Sequence, residues 1–331
     1  MRTPTFAPLR TAAAVLVAAA LAASSAACSG ETAGGDDADG ASDGEITLEG
    51  DNGPVTLDKP AVKVAALEWT YVEDLLALGI EPVAVADAEE YEKWVGAGDR
   101  IPDDVLDVGT RQEPDLDLLR TIEIDLIITD ADRGRDLVEQ LEEIATTVAY
   151  DFYSHPDGPY EGMRDVTTQL AEAVGKPEAG QQILDDLDAT VDKARQDLAD
   201  AGLDGAEYAF AQGYSVEGVP ELRLFTDSSL AGETLAKAGL ANTWEGEPDD
   251  FGMTTVGVES LTQLPDDVEF VYVALESDDP FADTLPDNDV WKDLEFVKDD
   301  QVHGTDPGTW VFGGPLSCQM IITETVAALT A

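Results

Sequence analysis

A long helical pattern in the middle of the chain is the feature that most constrains its fold. Pro177 to Leu203 keep one helical periodicity over 27 residues, with a proline that suits the first turn and Gly202 at the end. At ~1.5 Å per residue such a helix is roughly 40 Å long, which is more than one small lobe needs. The pattern therefore predicts a rigid helical spine that joins two lobes.

Strand-like apolar runs alternate with helical patterns on both sides of this predicted helix. Before it, the run Val62 to Leu67 is followed by the helical stretch Tyr71 to Leu78, and the run Asp125 to Thr129 comes later. After it, the clearest strand is EFVYVAL, at Glu269 to Leu275. Strands separated by helices indicate a mostly parallel sheet that is covered on both faces. We therefore predict an α/β protein with two Rossmann-like α/β lobes joined by a single long interdomain helix, with the ligand cleft between the lobes.

The start of the chain carries the marks of an export signal. Arg2 and Arg10 make a basic start, and the apolar run Thr11 to Ala23 is too short to span a bilayer of roughly 30 Å as a helix. Small residues then lead to Cys28, a pattern that resembles bacterial lipoprotein signals, with Ser25 where such signals usually have leucine. We expect Cys28 to become the lipid-bearing first residue of the mature chain. Cleavage that leaves a free secreted protein is the alternative.

The stretch after Cys28 is rich in Gly, Asp and Ser and has no apolar periodicity. Such a segment is expected to be a flexible, self-repelling tether. The predicted organisation is a signal peptide (1–27), a disordered acidic tether (28–45), an N-terminal α/β lobe (46–155), a linker region with the spine helix (156–204) and a C-terminal α/β lobe (205–331).

The charge balance excludes several functions. Eighteen lysines and arginines stand against 70 aspartates and glutamates, for a formal charge of -52 at pH 7. Such a surface repels nucleic acid and anionic lipid headgroups, so we expect contact with a membrane through the lipid anchor only. Two cysteines and two histidines are too few for a zinc site, and no metal site is predicted. The sequence has neither a G-x-S-x-G nor an H-E-x-x-H motif, so no catalytic activity is expected; a secreted hydrolase is the less favoured alternative.

Four segments resemble one protein family. They are ALEWTYVEDLLALGIEPVAVAD (66–87), DVGTRQEPDLDLLRTIEIDLIIT (107–129), LFTDSSLAGETLAKAGLANTWEGE (224–247) and PGTWVFGGPLSCQM (307–320). In this order, with the spine between the second and the third, they resemble the siderophore-binding proteins of the iron/cobalamin branch of periplasmic binding proteins. They are most similar to the ferric-hydroxamate and ferric-citrate types. The resemblance implies small hinge motion and delivery of the ligand to an ABC permease and its ATPase.

The expected ligand is therefore a ferric siderophore, whose iron enters already coordinated, and no other cofactor is predicted. A hydroxamate is favoured over citrate, because only one or two arginines are expected to face the cleft. Cobalamin remains an alternative, as does haem, for which Tyr214 or Met253 offers an axial ligand. We expect the protein to act as a monomer.

Arginines are the first candidates for ligand contact, because a planar guanidinium donates well to hydroxamate or carboxylate oxygens. Arg111 follows a predicted strand end and matches the siderophore-contacting arginine of the family. Arg133 lies in the loop after the strand Asp125 to Thr129, and Arg223 precedes a strand of the second lobe. Surface ion pairs are the alternative interpretation in so acidic a chain.

Aromatic side chains are the candidates for the walls of the cleft. Trp69 follows the first strand, and Trp310 and Phe312 lie in the loop PGTWVFGGP, where large aromatic residues are poorly explained as core. Trp310 matches a family position that lines the pocket. The further candidates are Trp244, Phe251 and Tyr214, of which Trp244 is equally well interpreted as packing.

The family resemblance also implies one exposed carboxylate on each lobe that pairs with permease arginines. Asp117 matches the first of these positions. Glu233 is the nearest acid to the second, which corresponds to Ala236. Arbitrary solvated carboxylates are the alternative interpretation, since the chain has 70 acidic residues.

Overall fold

The computed structural model describes residues 44–134 and 137–331. The predicted signal peptide, Cys28 and all but the last two residues of the predicted tether lie outside the described residues, as does the side chain of Arg133. Across the part of the chain that is described, no helix combines the length and the apolarity needed to cross a membrane.

Lobe one contains a parallel sheet flanked by short helices. Its described strands are β1 (Ile46–Gly50), β2 (Gly53–Leu57), β3 (Val64–Ala66), β4 (Ala84–Val85), β5 (Leu106–Asp107), β6 (Leu126–Asp130) and β7 (Thr147–Tyr150). Its described helices are α1 (Trp69–Ala77), α2 (Ala88–Trp94), α3 (Leu116–Leu119), α4 (Ala131–Gly134) and α5 (Val138–Glu142). The sheet has the order β5-β4-β3-β6-β7, and every pairing in it is parallel, as the sequence predicts. The antiparallel hairpin of β1 and β2 is an addition that the sequence analysis did not predict.

Two helices follow lobe one, α6 (Pro159–Ala173) and α7 (Pro177–Ala201). Helix α7 is the predicted spine, and Gly202 ends it in the left-handed conformation with a φ of 76°. Its buried side chains recur every three or four residues, at Leu184, Leu187, Val191, Ala194 and Leu198. Helix α6 was not predicted within the linker region; it packs against α7 and gives the connection a second helical layer.

Lobe two contains a mixed sheet. Its described strands are β8 (Glu207–Val216), β9 (Val219–Phe225), β10 (Ala241–Asn242), β11 (Met253–Val256), β12 (Glu269–Val273) and β13 (Val302–Gly304). Its described helices are α8 (Leu230–Lys237), α9 (Pro280–Asp283), α10 (Asp289–Asp293), α11 (Glu295–Lys298) and α12 (Pro315–Leu329). The order is β11-β9-β8-β12-β13, with β10 also beside β8.

Half of this second sheet departs from the predicted parallel arrangement. Strand β8 pairs with β12 in parallel but with β9 antiparallel, and β11 continues the antiparallel half. The reason is a two-residue turn at Glu217 and Gly218, which have φ angles of 51° and 81°. Positive φ at both central residues matches the twist of a tight hairpin, so no helix is needed between β8 and β9.

One apolar cluster spans both lobes, and each lobe also has a smaller buried cluster of its own. A continuous cluster of buried side chains extends from Tyr71 of α1 through Leu187 of α7 to Phe210 of β8 and Ile321 of α12. Helix α12, although last in the chain, packs along α7. Because this layer is common to both lobes, the relative placement of the lobes is fixed by packing rather than by a free linker.

Candidate ligand-binding cleft

A cleft of about 340 Å³ lies between the lobes. Lobe one lines it with Glu68, Thr70, Arg111, Gln112, Asp130, Phe152 and Tyr153, and lobe two with Arg223, Phe251, Met253, Trp310 and Phe312. Three of these residues mark the carboxyl ends of parallel strands: Glu68 follows β3, Asp130 ends β6, and Phe152 follows β7. Open α/β sheets bind ligands at that edge, so the fold places this surface where a ligand site is expected.

Arg111 is held tightly on the lobe-one side of the cleft. Its Nη1 donates a hydrogen bond of 2.6 Å to Oε1 of Glu68, and its Nε lies 3.6 Å from Oδ2 of Asp87. Its guanidinium carbon lies 3.5 Å from the ring centroid of Trp69. The side chain is only 12% exposed. Among the described residues, Glu68 is the one side chain that accepts a hydrogen bond from this guanidinium, and its buried Nε has no hydrogen-bond partner there.

Arg223 faces the cleft from the opposite lobe in a different environment. Its Nη1 donates to Oε1 of Gln212 at 3.0 Å, and its guanidinium carbon lies 4.7 Å from the ring centroid of Tyr214. Within residues 44–134 and 137–331, no carboxylate lies at ion-pair distance from it. Its buried Nε also has no hydrogen-bond partner there. Gln212 and Tyr214 thus hold the Arg223 side chain in place on β9, and its positive charge is not offset by a described carboxylate.

Aromatic rings form a continuous wall around the cleft. The ring of Trp310 lies 5.0 Å from that of Trp69 and 5.1 Å from that of Phe312, between ring centroids. Phe312 is in turn 6.1 Å from Phe251, which meets Tyr153 edge-on at 5.0 Å. The wall therefore runs from lobe one through the loop before α12 and back to lobe one.

Several cleft residues were not identified from the sequence. Glu68, Thr70, Gln112, Phe152 and Tyr153 line the cleft, and none was predicted to do so. Their signal was topological, because each of them lies in the segment that comes after a parallel strand of lobe one, β3, β5 or β7. Met253 also lines the cleft, although the sequence suggested it only as a ligand for haem.

Two predicted aromatic residues lie differently from expectation, and a third had two interpretations. Trp69 supports Arg111 from beneath and is 2% exposed. Tyr214 donates to Oε2 of Glu221 at 2.9 Å and packs on Arg223, and burial raises its pKa. Of the two interpretations of Trp244, the structure agrees with packing, since this residue lies in an apolar cluster of lobe two and is 6% exposed.

Packing in lobe two accounts for the position of Trp244. Strand β10, which ends two residues before it, pairs with Glu207 and Tyr208 at the beginning of β8. Trp244 is buried in an apolar cluster that also contains Ala209, Leu222 and Val258.

The two predicted docking carboxylates differ in exposure. The Asp117 side chain is 96% exposed and pairs with Arg120 at 3.0 Å. Glu233 is half-buried, and its Oε2 accepts a hydrogen bond of 2.8 Å from the backbone N–H of Tyr160, at the start of α6. Burial raises the pKa of the Glu233 carboxyl. Its carboxylate is thus engaged within the molecule.

Comparison with known proteins gives consistent matches over most of the chain. The Fe(3+)-citrate-binding protein YfmC of Bacillus subtilis is 26% identical over 273 residues, which cover 80% of this chain and 79% of that protein. The iron(3+)-hydroxamate-binding protein FhuD of Escherichia coli is 28% identical over 260 residues, covering 78% and 84%.

Solved structures agree with this. The siderophore-binding protein FhuD of Vibrio cholerae, determined with Fe3+-Desferal, superposes with a TM-score of 0.71 at 25% identity, covering 82% of this chain and 98% of that one. Staphylococcus aureus SirA, determined with staphyloferrin B, shares the fold with a TM-score of 0.67 at 20% identity, covering 86% and 98%. The family model described as periplasmic binding protein matches residues 64–309, so this chain belongs to the periplasmic binding protein family and is a solute-binding protein rather than an enzyme.

Proposed function

We propose that this protein binds a ferric siderophore outside the cytoplasm and delivers it to an ABC importer. One observation carries the proposal most directly: the guanidinium carbon of Arg111 lies over the ring of Trp69, in a cleft that both lobes line with aromatic side chains. Ferric siderophores are bulky and partly apolar, and they present oxygen atoms around an iron that is already coordinated. An aromatic wall with a few fixed donors suits such a ligand.

The charges in the cleft favour a hydroxamate as the ligand. The charged side chains that line it in the described residues are two arginines, Arg111 and Arg223, and two acids, Glu68 and Asp130. Three hydroxamate groups neutralise Fe3+, so a ferric trihydroxamate core has no net charge, whereas ferric citrate and ferric catecholate complexes are anionic. The described part of the lining thus has equal numbers of positive and negative side chains, which in a chain of charge -52 offers little net attraction to an anion.

Anchoring and partners complete the proposal. Cys28, with the small residues before it, is proposed to carry a lipid that holds the protein on the outer face of the cell membrane. The exposed carboxylate of Asp117 is proposed to pair with the permease. Cys28→Ser should move the protein from the detergent phase to the aqueous phase in a phase-partition assay. Retention in the detergent phase would exclude this anchor.

Ligand binding is best tested by tryptophan fluorescence, because Trp310 lines the cleft. The ring centroids of Trp69 and Trp94 lie 5.0 and 6.0 Å from that of Trp310, respectively. The soluble form beginning at Ser29 is titrated with ferrioxamine, ferric citrate, haemin and cobalamin, with inner-filter controls. We expect saturable quenching by ferrioxamine, weakened about tenfold or more in Arg111→Ala.

Two further variants make this titration specific. Arg111→Lys keeps the charge but loses the planar fork, so it should bind more weakly than wild type. Arg195→Ala removes an exposed arginine of α7 outside the cleft and should bind like wild type. Saturation by haemin or cobalamin alone, or no response to any ferric complex, would contradict the siderophore assignment.

A further inference from the structure

We infer that Glu68 determines the charge class of ferric complex that the cleft accepts, by holding Arg111 in place and neutralising it. Glu68 was not among the residues that the sequence suggested for the site. The inference rests on the proposed function, since it concerns the selectivity of the same cleft.

The start of helix α1 fixes the Glu68 side chain. Glu68 is the residue before the helix, with extended backbone angles (φ -136°, ψ 146°), and its Oε1 accepts a hydrogen bond of 2.9 Å from the backbone N–H of Trp69. The same oxygen accepts the 2.6 Å hydrogen bond from Nη1 of Arg111. Because a carboxylate that caps a helix has little rotational freedom, it fixes the position of the guanidinium that it pairs with.

Trp69 extends this arrangement into a layered unit. Its backbone N–H binds Glu68, its ring lies under the Arg111 guanidinium, and its Nε1 donates to the carbonyl oxygen of Ala86 at 3.3 Å. Two adjacent residues, Glu68 and Trp69, therefore hold Arg111 from its edge and from its face. The geometry makes Glu68 a positioning residue for the predicted ligand contact.

A second carboxylate contributes to the same neutralisation. Oδ2 of Asp87 accepts a hydrogen bond of 2.8 Å from the backbone N–H of Arg111 and lies 3.6 Å from its Nε. Asp87 adopts the left-handed conformation, with φ 56°, and its backbone N–H donates to the carbonyl oxygen of Gly109. Two acids on one cation leave Arg111 able to donate hydrogen bonds without adding net positive charge to the cleft.

The opposite lobe provides the contrast. Arg223 is positioned by the neutral groups of Gln212 and Tyr214, with no carboxylate at ion-pair distance among residues 44–134 and 137–331. The cleft therefore combines a neutralised arginine with one that keeps its charge. Changing Glu68 to glutamine would preserve the size of the side chain while removing the negative charge that offsets Arg111.

Three ferric probes with different charge test the inference. Ferrioxamine E is neutral, ferrioxamine B has the same type of iron coordination with one added ammonium group, and ferric dicitrate is anionic. In Glu68→Gln, we expect the ratio of ferric dicitrate affinity to ferrioxamine E affinity to rise about tenfold over wild type. The ratio of ferrioxamine B affinity to ferrioxamine E affinity should fall. Ratios separate a change in charge preference from a general loss of binding.

Companion variants keep the test decisive if Glu68→Gln folds poorly. Asp87→Asn removes the second carboxylate, at a left-handed position that asparagine tolerates. It should raise the ferric dicitrate ratio and lower the ferrioxamine B ratio, as Glu68→Gln does, but by a smaller factor. Glu68→Asp keeps the negative charge but shortens its reach, so it should weaken all probes while leaving the ratios near those of wild type. Asp289→Asn, at an exposed acid that does not line the cleft, should leave both ratios unchanged.

The outcomes distinguish this inference from the proposed function. Wild-type binding of ferrioxamine E with ratios unchanged within twofold in both Glu68→Gln and Asp87→Asn would overturn the role of Glu68 and leave the siderophore assignment standing. Failure of wild type to bind any of the three ferric probes would overturn both. Opposite shifts of the anionic and cationic ratios in the two charge-removing variants would support the inference.

Discussion

The carboxylate of Glu73, on α1 of lobe one, accepts a hydrogen bond of 2.9 Å from the backbone N–H of Ser317, in the first turn of α12. The Ser317 hydroxyl also donates to this carboxylate, which is 1% exposed. On the opposite side, Glu233 of α8 accepts from the backbone N–H of Tyr160 at the start of α6. Glu73 is on the first helix of lobe one, and Glu233 is on the first helix of lobe two. Each carboxylate thus accepts a hydrogen bond from the N-terminus of another helix, α12 or α6, where the helix dipole favours negative charge.

Glu73→Gln tests how much this contact stabilises the fold. The amide keeps the side-chain volume but weakens two buried hydrogen bonds to a charged acceptor, so we expect a loss of about 1–3 kcal/mol in the free energy of unfolding. Urea denaturation monitored by tryptophan fluorescence provides the measurement. Asp289→Asn, at an exposed acid, is the matched control and should stay within about 0.5 kcal/mol of wild type. Equal stability of Glu73→Gln and wild type would contradict a structural role for this contact.

Asp74, the neighbour of Glu73, should make stability depend on pH. Burial raises the pKa of its carboxyl well above the ordinary value of 3.8, the negative charge of Glu73 raises it further, and a hydrogen bond from Thr167 opposes the shift. A raised folded-state pKa means that the folded protein binds this proton more tightly than the unfolded chain. The stabilisation is therefore complete below the ordinary pKa and is lost as pH rises through the folded-state value.

Asp74→Asn removes this titration and should stabilise the protein increasingly, relative to wild type, as pH is raised from about 4 to about 8. Acids that do not interact with Asp74 titrate alike in both proteins and cancel in the difference between the two unfolding free energies, whereas the neighbouring Glu73, which is coupled to Asp74, also contributes to it. Urea denaturation of both proteins across this pH series measures it. A difference that stays constant with pH would show that Asp74 has the same affinity for protons in the folded and unfolded states.

The fold was predictable wherever the signal was local. The spine began at the predicted Pro177, and its end differed by two residues because Gly202 adopts the cap conformation that its lack of a side chain permits. The hairpin of β8 and β9 was harder to predict, because Glu217 takes a positive φ that its side chain does not favour. Helix α6 was missed although Met163, Val166 and Leu170 of its buried face lie three or four residues apart, a helical spacing that the sequence already contains.

The candidate site was predictable only in part, for a related reason. Arg111 and Trp310 match positions of the family, Phe312 was chosen because a large aromatic residue in a Gly/Pro-rich loop is poorly explained as core, and all three line the cleft. Glu68 and Tyr153 were not identified, since their roles depend on which strand ends meet in space. For Trp244 the sequence left cleft wall and packing equally open, and only the tertiary structure, which buries it in lobe two, decides between them. The residues of the two lobes that face each other are determined by tertiary packing, which cannot be predicted from the spacing of residues along the sequence.

Ionic strength should affect ligand capture according to ligand charge. The formal charge of -52 slows the approach of an anionic ferric complex, and salt screens this repulsion, with a Debye length of about 10 Å at 0.1 M. Stopped-flow quenching should therefore show faster association of ferric dicitrate as salt rises from about 20 to about 200 mM. Association of neutral ferrioxamine E is the control and should be nearly constant. A fall in the ferric dicitrate rate would indicate that positive charge at the cleft dominates its approach.

Phe251 should contribute to affinity by completing the aromatic wall between the lobes. It meets Tyr153 of lobe one at 5.0 Å and Phe312 at 6.1 Å, between ring centroids, so its removal opens the wall on one side. We expect Phe251→Ala to weaken ferrioxamine binding about tenfold, whereas Phe251→Trp, which restores an aromatic surface, should bind within about threefold of wild type. Titration calorimetry on both variants measures this. Because Phe251 is half-buried, each variant should keep most of the wild-type unfolding free energy, which urea denaturation checks. Equal binding by the alanine and tryptophan variants would show that the wall closes without this ring.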